Sequence, residues 1–396
     1  MLLPEADTLA AHALEQIRAT LPDLRELSVT GRLRRGAQTI DEVAIVAVSG
    51  DAHRWPRMQF IAKLGVRLIV CDPAHRGVAL LCTTGSQGHL QDLQALAARR
   101  GLRLDDSGLR KGPREILCST EQELYAALGL PFIEPELREG SGEVELALRG
   151  ALPALLTEKQ VQGALHNHTV LSDGRETLEQ MAQAARAKGL TYLGIADHFC
   201  GLEALEQQRR EADSLNLRWA SEFRIFTGLE VDIQADGSLD LPAQLPPSVD
   251  YVVCGIHDHL SLDRAAQTAR LIRAIRHPHT FMLSHPTGRL LPGFDGIDVD
   301  LEAVLRASAS FGVVVEINAN PRRLDLDWRW HQRAVELGCL LSISPDAHSA
   351  SELDFLRWGI LAARKSALAA KSLLSCADAD YLDGLFQAKR RRISRL

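Results

Sequence analysis

The sequence predicts an α/β fold in which seven parallel strands and their connecting helices form a barrel, preceded in the sequence by a smaller N-terminal domain. From residue 161 onward, short apolar runs rich in β-branched residues alternate with helix-like stretches, which is typical of parallel strands joined by helical crossovers. Seven such units in about 210 residues favour a closed barrel over an open sheet. Nearly every run also ends in a side chain that can bind a metal ion, and barrels of this type form their sites at the strand ends.

Each of the seven runs brings a polar or metal-binding residue to the C-terminal end of a predicted strand. Helix patterns lie between several of them, such as TLEQMAQAARAKGL (177–190), which has a glycine near its end. Because these strand ends meet at one face, residues far apart in sequence converge there. The runs are VQGALHNH (161–168), LTYLGIADH (190–198), FRIFTGLEVD (223–232), DYVVCGIH (250–257), TFMLSHPTG (280–288), GVVVEINAN (312–320) and GCLLSISPDAH (338–348).

Nine side chains at these ends are candidate metal ligands. Six imidazoles and three carboxylates without a thiolate favour Zn²⁺, Mn²⁺ or Fe²⁺ over Mg²⁺ or Ca²⁺, and the sequence does not decide among the three. With three or four protein ligands per ion and one bridging carboxylate, the set fits three divalent ions. The nine are His166, His168, Asp173, His198, Glu230, His257, His285, Asp346 and His348.

A cluster of this kind favours hydrolysis of phosphate esters. One ion can lower the pKa of bound water toward roughly 7, and a second can stabilise the attacked and leaving oxygens. Arg289 and Arg323 follow predicted strand ends and are candidates to clamp a phosphate group. The residues predicted to be catalytic are these two arginines together with His166, His168, Glu230 and Asp346.

Several polar residues have two interpretations. Asp197, Glu316, Asn318 and Asn320 either orient the ligands or are simply satisfied strand ends. His259 either contacts substrate or is an exposed loop histidine, and the second interpretation is preferred. An HxH spacing alone is weak evidence, and we expect HPH (277–279) to lie on the surface because it falls in a helical or loop stretch.

The composition indicates a reduced, cytoplasmic protein. The 396 residues are 46% hydrophobic and carry a formal net charge of −6, so the chain as a whole does not attract nucleic acid electrostatically. The basic segment KRRRISR (389–395) is a candidate local patch, although a solvated terminus is the commoner explanation. Seven scattered cysteines without a CxxC pair predict free thiols. The N-terminal segment has no basic region typical of a signal peptide, and no apolar run reaches 18 residues, so we expect no membrane association.

Residues 1–150 predict a different, mixed α+β domain, followed by the barrel domain at 151–396. Strand, turn and helix patterns alternate up to about residue 130. Loop signals then cluster in PFIEPELREGSGEVELALRGALP (131–153), which we interpret as the linker. The sequence does not indicate an oligomeric state.

Six segments, HNHTVLSDG, IADH, GLEVDI, GIH, SHPTGR and SPDAHS, together resemble the PHP (polymerase and histidinol phosphatase) domain. The segments EINANPRRLDLDWRW and GRLL…DVDLEAVL are similar to the PHP module of bacterial family X DNA polymerases in particular. The resemblance covers 155–390 and implies a distorted (β/α)₇ barrel with a trinuclear metal site. In those polymerases the module is a Mn²⁺-dependent 3′→5′ exonuclease that also removes blocking groups from DNA 3′ ends. Other PHP proteins are small phosphatases, such as those acting on histidinol phosphate.

The resemblance also implies how the nine ligands are shared among three ions. All nine positions hold the residue types of the family. In that assignment the first ion takes His166, His168, Glu230 and Asp346; the second takes Glu230 as a bridge with His257 and His285; the third takes Asp173, His198 and His348.

The N-terminal half is similar to a family X palm and thumb but departs from the family at its catalytic positions. VTGRLRRGAQTIDEVAIVAV resembles the palm, and LLCTTGSQGHLQDLQALAARRGLRLDDSGL and YAALGLPFIEPELREG resemble the thumb. Two palm aspartates fall on Glu42 and Ala44, the third falls loosely near Ile69, and a motif serine is Arg32. Since nucleotidyl transfer needs those carboxylates to hold Mg²⁺, we predict a degenerate domain without polymerase activity. The TGS at 84–86 either lines a groove or is a plain turn, the latter being preferred.

Three functions remain open at this stage. The preferred one is a metal-dependent phosphoesterase that acts on nucleic-acid 3′ ends as an exonuclease or a 3′-phosphatase. The second is a phosphatase for a small phosphorylated metabolite, to which the metal site is equally suited. The third and weakest is a non-enzymatic binding or scaffold role.

Overall fold

The structure, a computed structural model, describes residues 1–56, 58–220, 222–242 and 245–394. The chain divides into two compact units, Met1–Ala154 and Leu155–Leu396. The stretch 131–153, interpreted above as a linker, is instead largely folded into the first unit. It contains a short helix, and the side chains of Glu136, Arg138 and Glu143 are buried in it. Its prolines and glycines mark tight turns between packed elements, which have the same composition as a linker.

The first unit is built around a four-stranded mixed sheet and a three-stranded antiparallel sheet. The larger sheet has the order β1-β2-β4-β3, in which only β2 and β4 are parallel. The smaller sheet has the order β5-β6-β7. The elements are α1 (Leu3–Thr20), β1 (Leu24–Thr30), α2 (Gly31–Arg34), β2 (Val43–Ser49), β3 (Met58–Ile61), β4 (Val66–Cys71), α3 (Arg76–Thr84), α4 (Gln87–Arg99), β5 (Arg103–Asp105), β6 (Gly108–Lys111), β7 (Arg114–Ile116), α5 (Glu121–Ala127) and α6 (Glu143–Leu148).

A buried ion cluster ties α2 to the thumb-like part of this unit. Arg34 contacts Glu121 at 2.5 Å, and the fully buried Arg138 also donates to Glu121. Arg34 donates as well to Thr84, at the TGS segment, whose Ser86 caps the N-terminus of α4. The segment is therefore a turn between two helices, with its threonine turned inward.

The second unit confirms the predicted seven-stranded parallel barrel. Its strands follow one another in chain order, and all six neighbouring pairs are parallel. The ring closes where Asp346 N donates to His166 O (3.1 Å) and His168 N donates to Ala347 O (2.8 Å). The strands are β8 (Gly163–Ala164), β9 (Tyr192–Ile195), β10 (Arg224–Asp232), β11 (Tyr251–Gly255), β12 (Thr280–Leu283), β13 (Val314–Asn318) and β14 (Leu341–Ser344).

Helices cover the outside of the barrel and the end at which its strands begin. Their apolar faces pack on the strands, as the alternating pattern requires. The helices are α7 (Leu178–Ala187), α8 (Leu202–Trp219), α9 (Arg264–Arg276), α10 (Leu301–Phe311), α11 (Trp328–Glu336), α12 (Leu356–Lys365) and α13 (Ala379–Ile393). In the part of the chain that the structure describes, none of these helices is long and apolar enough to cross a bilayer.

Aromatic side chains fill the half of the barrel nearest the N-terminal ends of its strands, and glycines leave space for them. A Cβ on Gly194 would lie 2.3 Å from Tyr251 Oη, and one on Gly228 would lie 2.4 Å from Tyr251 Cζ. Phe386 of α13 enters from below, with its ring centroid 5.0 Å from that of Tyr251 and 4.9 Å from that of Phe281. Helix α13 therefore closes the N-terminal end of the barrel, and the opposite end is left for the site.

Phe386→Ala should lower the free energy of unfolding of the barrel by about 3–5 kcal/mol, since it removes a fully buried ring between packed aromatics. Tyr381→Ala, on the exposed face of the same helix, should change it by only about 0.5 kcal/mol. Urea unfolding followed by circular dichroism measures both. Equal losses in the two variants would contradict the closing role of α13.

Candidate metal centre

All nine predicted ligands lie at the C-terminal ends of the barrel strands and meet there. The structure groups them into four sets whose ligand atoms lie within 4.8 Å of one another. His168 belongs to three of these sets and Glu230 to two. The sets are His166, His168 and Asp346; His168, His198 and Glu230; His168, Asp173 and His348; and Glu230, His257 and His285.

The inner ligands are buried and aimed at common points. Nε2 of His166 lies 3.0 Å from a Glu230 oxygen, and Nε2 of His168 lies 3.2 Å from an Asp346 oxygen. Among the described residues, Nε2 of His166, both ring nitrogens of His168 and Nδ1 of His285 are buried without a hydrogen bond of good geometry. Buried imidazole nitrogens are normally satisfied, so these orphaned atoms fit metal coordination.

The outer ligands open the site to solvent. The side chain of Asp173 is 54% exposed, and those of His198, His257 and His348 are partly exposed. Nε2 of His348 lies 3.1 Å from Asp173 Oδ2, which joins two distant segments of the chain at the rim. Substrate and water can therefore reach the cluster from the side of these residues.

Three hydrogen bonds fix imidazole rings with Nε2 facing the cluster. Nδ1 of His166 donates to Glu316 (2.8 Å), Nδ1 of His257 to Asp232 (2.6 Å) and Nδ1 of His348 to the carbonyl of Asp346 (3.0 Å). Bonds of this kind select the tautomer of a metal-binding histidine and raise its basicity.

Glu316 and Asn318 extend this support to other ligands. Glu316 also accepts from the backbone N–H of His285 at 2.8 Å. The amide of Asn318 donates to both Glu316 (3.0 Å) and Asp346 (3.1 Å). Of the residues with two interpretations above, these two therefore contact ligands directly, whereas Asn320 accepts from the backbone of the following turn.

Asp197 holds the loop that carries Asp173. It accepts from the backbone N–H and hydroxyl of Thr169, both at 2.6 Å, and from Ser172 and Gln208, both at 2.5 Å. Because the Asp197 carboxylate accepts four hydrogen bonds, three of them from this loop, its role is to orient the loop.

The electrostatics of the cluster favour bound cations. Burial opposes protonation of His166, but Glu230, Glu316 and Asp346 raise its pKa well above the usual value. Burial likewise opposes ionisation of Glu230, yet the surrounding histidines, His166 first, lower its pKa well below the usual range. The carboxylates thus impose a negative charge that either protons on the imidazoles or metal ions can balance.

The backbone at two ligands is strained, and a glycine leaves space beside them. His285 has φ 25° and Asp346 has φ 53°, in the left-handed region that non-glycine residues rarely adopt. A Cβ on Gly255 would lie 2.5 Å from His285 Cε1 and 3.1 Å from Glu230 Oε1. Strand β11 must therefore end in glycine for these two ligands to approach each other.

The two predicted phosphate-clamping arginines differ in their surroundings. Arg323 is partly exposed, and its Nε lies 3.5 Å from Asp346 Oδ2. Arg289 is buried; it donates to Asp327 at 2.7 Å and to the carbonyl of Arg323 at 2.6 Å. His259 is exposed on a loop, in line with the preferred interpretation.

Two residues of the site, Asp232 and Gly255, were not among those predicted from the sequence. Asp232 lies two positions after Glu230 on the same strand, so the side chains share one face. That spacing was a usable signal. Gly255 gave no signal beyond being a glycine at a strand end.

Comparison with protein families identifies the chain. Residues 164–283 match the PHP domain, and residues 79–139 match the DNA polymerase beta thumb. Together with the metal-binding side chains gathered at the barrel rim, these matches define a metal-dependent phosphoesterase. The chain thus contains a PHP domain and is related in sequence to a bacterial family X DNA polymerase, which confirms the resemblance noted in its motifs.

The individual relatives include both polymerases and phosphatases. The chain is 32% identical over 378 residues to the DNA polymerase/3′-5′ exonuclease PolX of Bacillus subtilis, covering 92% of this chain and 66% of that protein. It is 27% identical over 207 residues to a probable phosphatase of Aeromonas salmonicida, covering 48% of this chain and 78% of the other. A solved histidinol phosphate phosphatase from Lactococcus lactis, in complex with zinc, L-histidinol and phosphate, is 17% identical with a TM-score of 0.40, covering 53% of this chain and 95% of the other.

Asp232→Asn should weaken metal binding by about 10–100-fold, because His257 loses the carboxylate that orients it and raises its basicity. Competition with a chromogenic chelator measures the change. Asp236→Asn, an exposed aspartate four residues further on that pairs with Arg273, is the matched control and should bind metal normally.

Gly255→Ala should remove the metal held by Glu230, His257 and His285 while the barrel stays folded, because the added methyl group collides with His285. Metal content by mass spectrometry and circular dichroism measure the two effects. Gly293→Ala, where a Cβ meets nothing within 4 Å, should keep full metal content. Full occupancy in Gly255→Ala would contradict the geometry described for this cluster.

Proposed function

We propose that this protein hydrolyses phosphate esters at nucleic-acid 3′ ends, as a 3′→5′ exonuclease or a 3′-phosphatase. The observation that carries the proposal is the sharing of His168 and Glu230 among adjacent ligand sets, since it fits several neighbouring cations at one open rim. Adjacent cations match the charge of a phosphate ester. The nucleic-acid substrate is supported by the likeness to PolX, which extends over nearly the whole chain, including the polymerase-like unit.

The nine ligands fit three divalent ions, in an assignment that follows the family resemblance except that His198 lies with His168 and Glu230 and not with Asp173 and His348. Their sharing agrees with Glu230 as a bridge, because five imidazoles lie within 3.7 Å of its oxygens. Zn²⁺, Mn²⁺ and Fe²⁺ all suit imidazole and carboxylate ligands. When bound, such ions supply Lewis acidity and a water nucleophile that is ready at neutral pH.

The protein's own side chains bind and orient the substrate. Arg323 stands beside Asp346 at the partly exposed edge, where its guanidinium can contact a phosphate oxygen. Arg289 is a positioning residue, because its buried guanidinium holds the carbonyl of Arg323 and the carboxylate of Asp327. The catalytic arginine contact therefore falls to Arg323, with Arg289 fixing the loop that presents it.

The N-terminal unit does not support nucleotidyl transfer. Glu42 pairs with Arg67 at 2.7 Å, and Arg67 lies opposite Ala44 in the sheet. Ile69 lies opposite Val46, and both are buried in an apolar cluster with Leu80. A cation and methyl groups thus occupy the surface on which Mg²⁺ ligands are needed.

Hydrolysis of a small phosphorylated metabolite is the second candidate. The likeness of the barrel to a probable phosphatase of Aeromonas salmonicida favours it. A non-enzymatic scaffold role has no support from the metal-dependent family of the chain.

The deciding experiment compares three substrates with the metal-loaded protein. A 3′-phosphorylated or 3′-hydroxyl oligonucleotide, p-nitrophenyl phosphate and a panel of metabolite phosphates are assayed under the same conditions. We expect kcat/KM to be highest for the oligonucleotide, with no incorporation of nucleotides. A metabolite phosphate that exceeds the oligonucleotide would replace the proposal with the second candidate.

His166→Ala and Asp346→Ala should each lose bound metal and at least about 100-fold of activity, as expected for ligands at a shared site. Glu42→Ala should leave hydrolysis unchanged. Near-normal turnover in both ligand variants would refute the proposed centre, and loss of hydrolysis in Glu42→Ala would reveal chemistry in the N-terminal unit.

A further inference from the structure

Two motifs that the metal centre does not use meet at the opposite end of the barrel. HPH (277–279) immediately precedes β12, and the basic segment that begins at Lys389 forms the last turn of α13. The Lys389 ammonium donates to the carbonyl of Thr280, the first residue of β12. The rings of His277 and His279 lie 5.6 Å apart beside it. Arg395, the last basic residue of that segment, lies outside the described residues.

Positive charge in this cluster is poorly compensated. Arg390 pairs with Asp250 at 2.7 Å. Among the residues that the structure describes, no carboxylate pairs with Lys389, Arg391 or Arg392, and both arginines are exposed. A half-buried lysine without an anionic partner is uncommon, because desolvating a cation costs free energy.

The pKa values of Lys389, His277 and His279 are all lowered, mainly by burial. Burial lowers the pKa of Lys389 to about 8, and Arg392 adds to the shift. Burial also lowers the pKa of His277 and of His279, and the Lys389 ammonium lowers both further. An anion bound among these groups would be stabilised by all of them.

Two surface cavities flank Lys389 and give an anion room to bind. One, of about 340 Å³, is lined by Lys389, His279 and Arg390. The other, of about 310 Å³, is lined by Lys389 and Arg392. Lys389 therefore borders both cavities; the rest of their lining is largely apolar, and the first cavity also includes Asp250, the partner of Arg390.

We propose that this basic cluster, comprising His277, His279, Lys389 and Arg390–Arg392, binds consecutive phosphates of a nucleic-acid strand. Four consecutive basic residues, Lys389–Arg392, at the end of one helix suit a ligand with several phosphates better than a single phosphate ion. The choice of nucleic acid rests on the proposed function. The cluster is separate from the metal centre, because it lies at the N-terminal ends of strands whose C-terminal ends carry the ligands.

The test measures binding without hydrolysis. A fluorescein-labelled single-stranded oligonucleotide is titrated with the full-length protein in EDTA, by anisotropy, over a range of salt concentrations. The variants are Lys389→Met and the double variant Arg391→Ala/Arg392→Ala. Because both arginines are exposed, the double variant stays informative if Lys389→Met fails to fold. Arg306→Ala, an exposed arginine on α10, is the matched control.

In the double variant we expect affinity to fall at least about 5-fold and the slope of log K against log salt to decrease by about 0.7 for each lost contact. Arg306→Ala should bind like wild type, and hydrolysis of p-nitrophenyl phosphate by the metal-loaded variants should be unchanged. Wild-type affinity and slope in the double variant would overturn the proposal. So would displacement of the strand by an equal concentration of inorganic phosphate, or binding to anionic vesicles in its place.

A failure of this proposal can be told apart from a failure of the proposed function. A wild-type protein that binds the strand through this cluster but does not hydrolyse its 3′ end would leave the cluster intact and refute the proposed function. A protein that hydrolyses 3′ ends while its cluster variants bind normally would do the reverse.

Discussion

The structure of the barrel rim depends on one buried carboxylate. Glu230 lies near the end of β10 with five histidine rings around it, from four segments of the chain, and its oxygens lie between 3.0 and 3.7 Å from ring nitrogens. A charge so deeply buried is tolerated only when opposite charge surrounds it. The ring of parallel strands supplies that charge by bringing every strand end to the same place. The orienting bonds from Glu316 and Asp232 and the space left by Gly255 all serve to hold ligands around this carboxylate.

Much of the barrel and its ligand set could be predicted because both rest on local patterns. Each strand ends where an apolar run meets a polar residue, and in a parallel barrel these strand ends converge at one face. The role of Asp232 was not predicted because its sequence position is typical of any polar residue at the end of a strand. Its hydrogen bond to His257 shows that it orients a candidate ligand. The difference between Arg289 and Arg323 also depends on tertiary contacts, since both follow strand ends in the same way. The buried ion cluster of Glu121 and Arg138 has a similar cause: loop-like composition around residue 138 concealed packed structure.

The N-terminal unit contains a segment that matches the DNA polymerase beta thumb, and charged side chains at its larger sheet are paired within the unit. The pair between Glu42 and Arg67 gives a carboxylate a cation from the protein itself. The arginines of the neighbouring motif are drawn into internal bonds with Glu121 and Thr84. These charged groups of the N-terminal unit pair with one another, whereas the candidate ligands of the barrel face an open rim. The two units thus differ in how their charged side chains are compensated.

The position of His168 at the intersection of three ligand sets has a consequence for how the centre fills. A ring that turns toward one ion changes the geometry offered to its neighbours, so occupation of the sets is coupled rather than independent. Binding of one ion should therefore change the affinity of the neighbouring sets for the next ion. The metal content of such a centre therefore reflects the coupling between its sets as well as the affinity of each set.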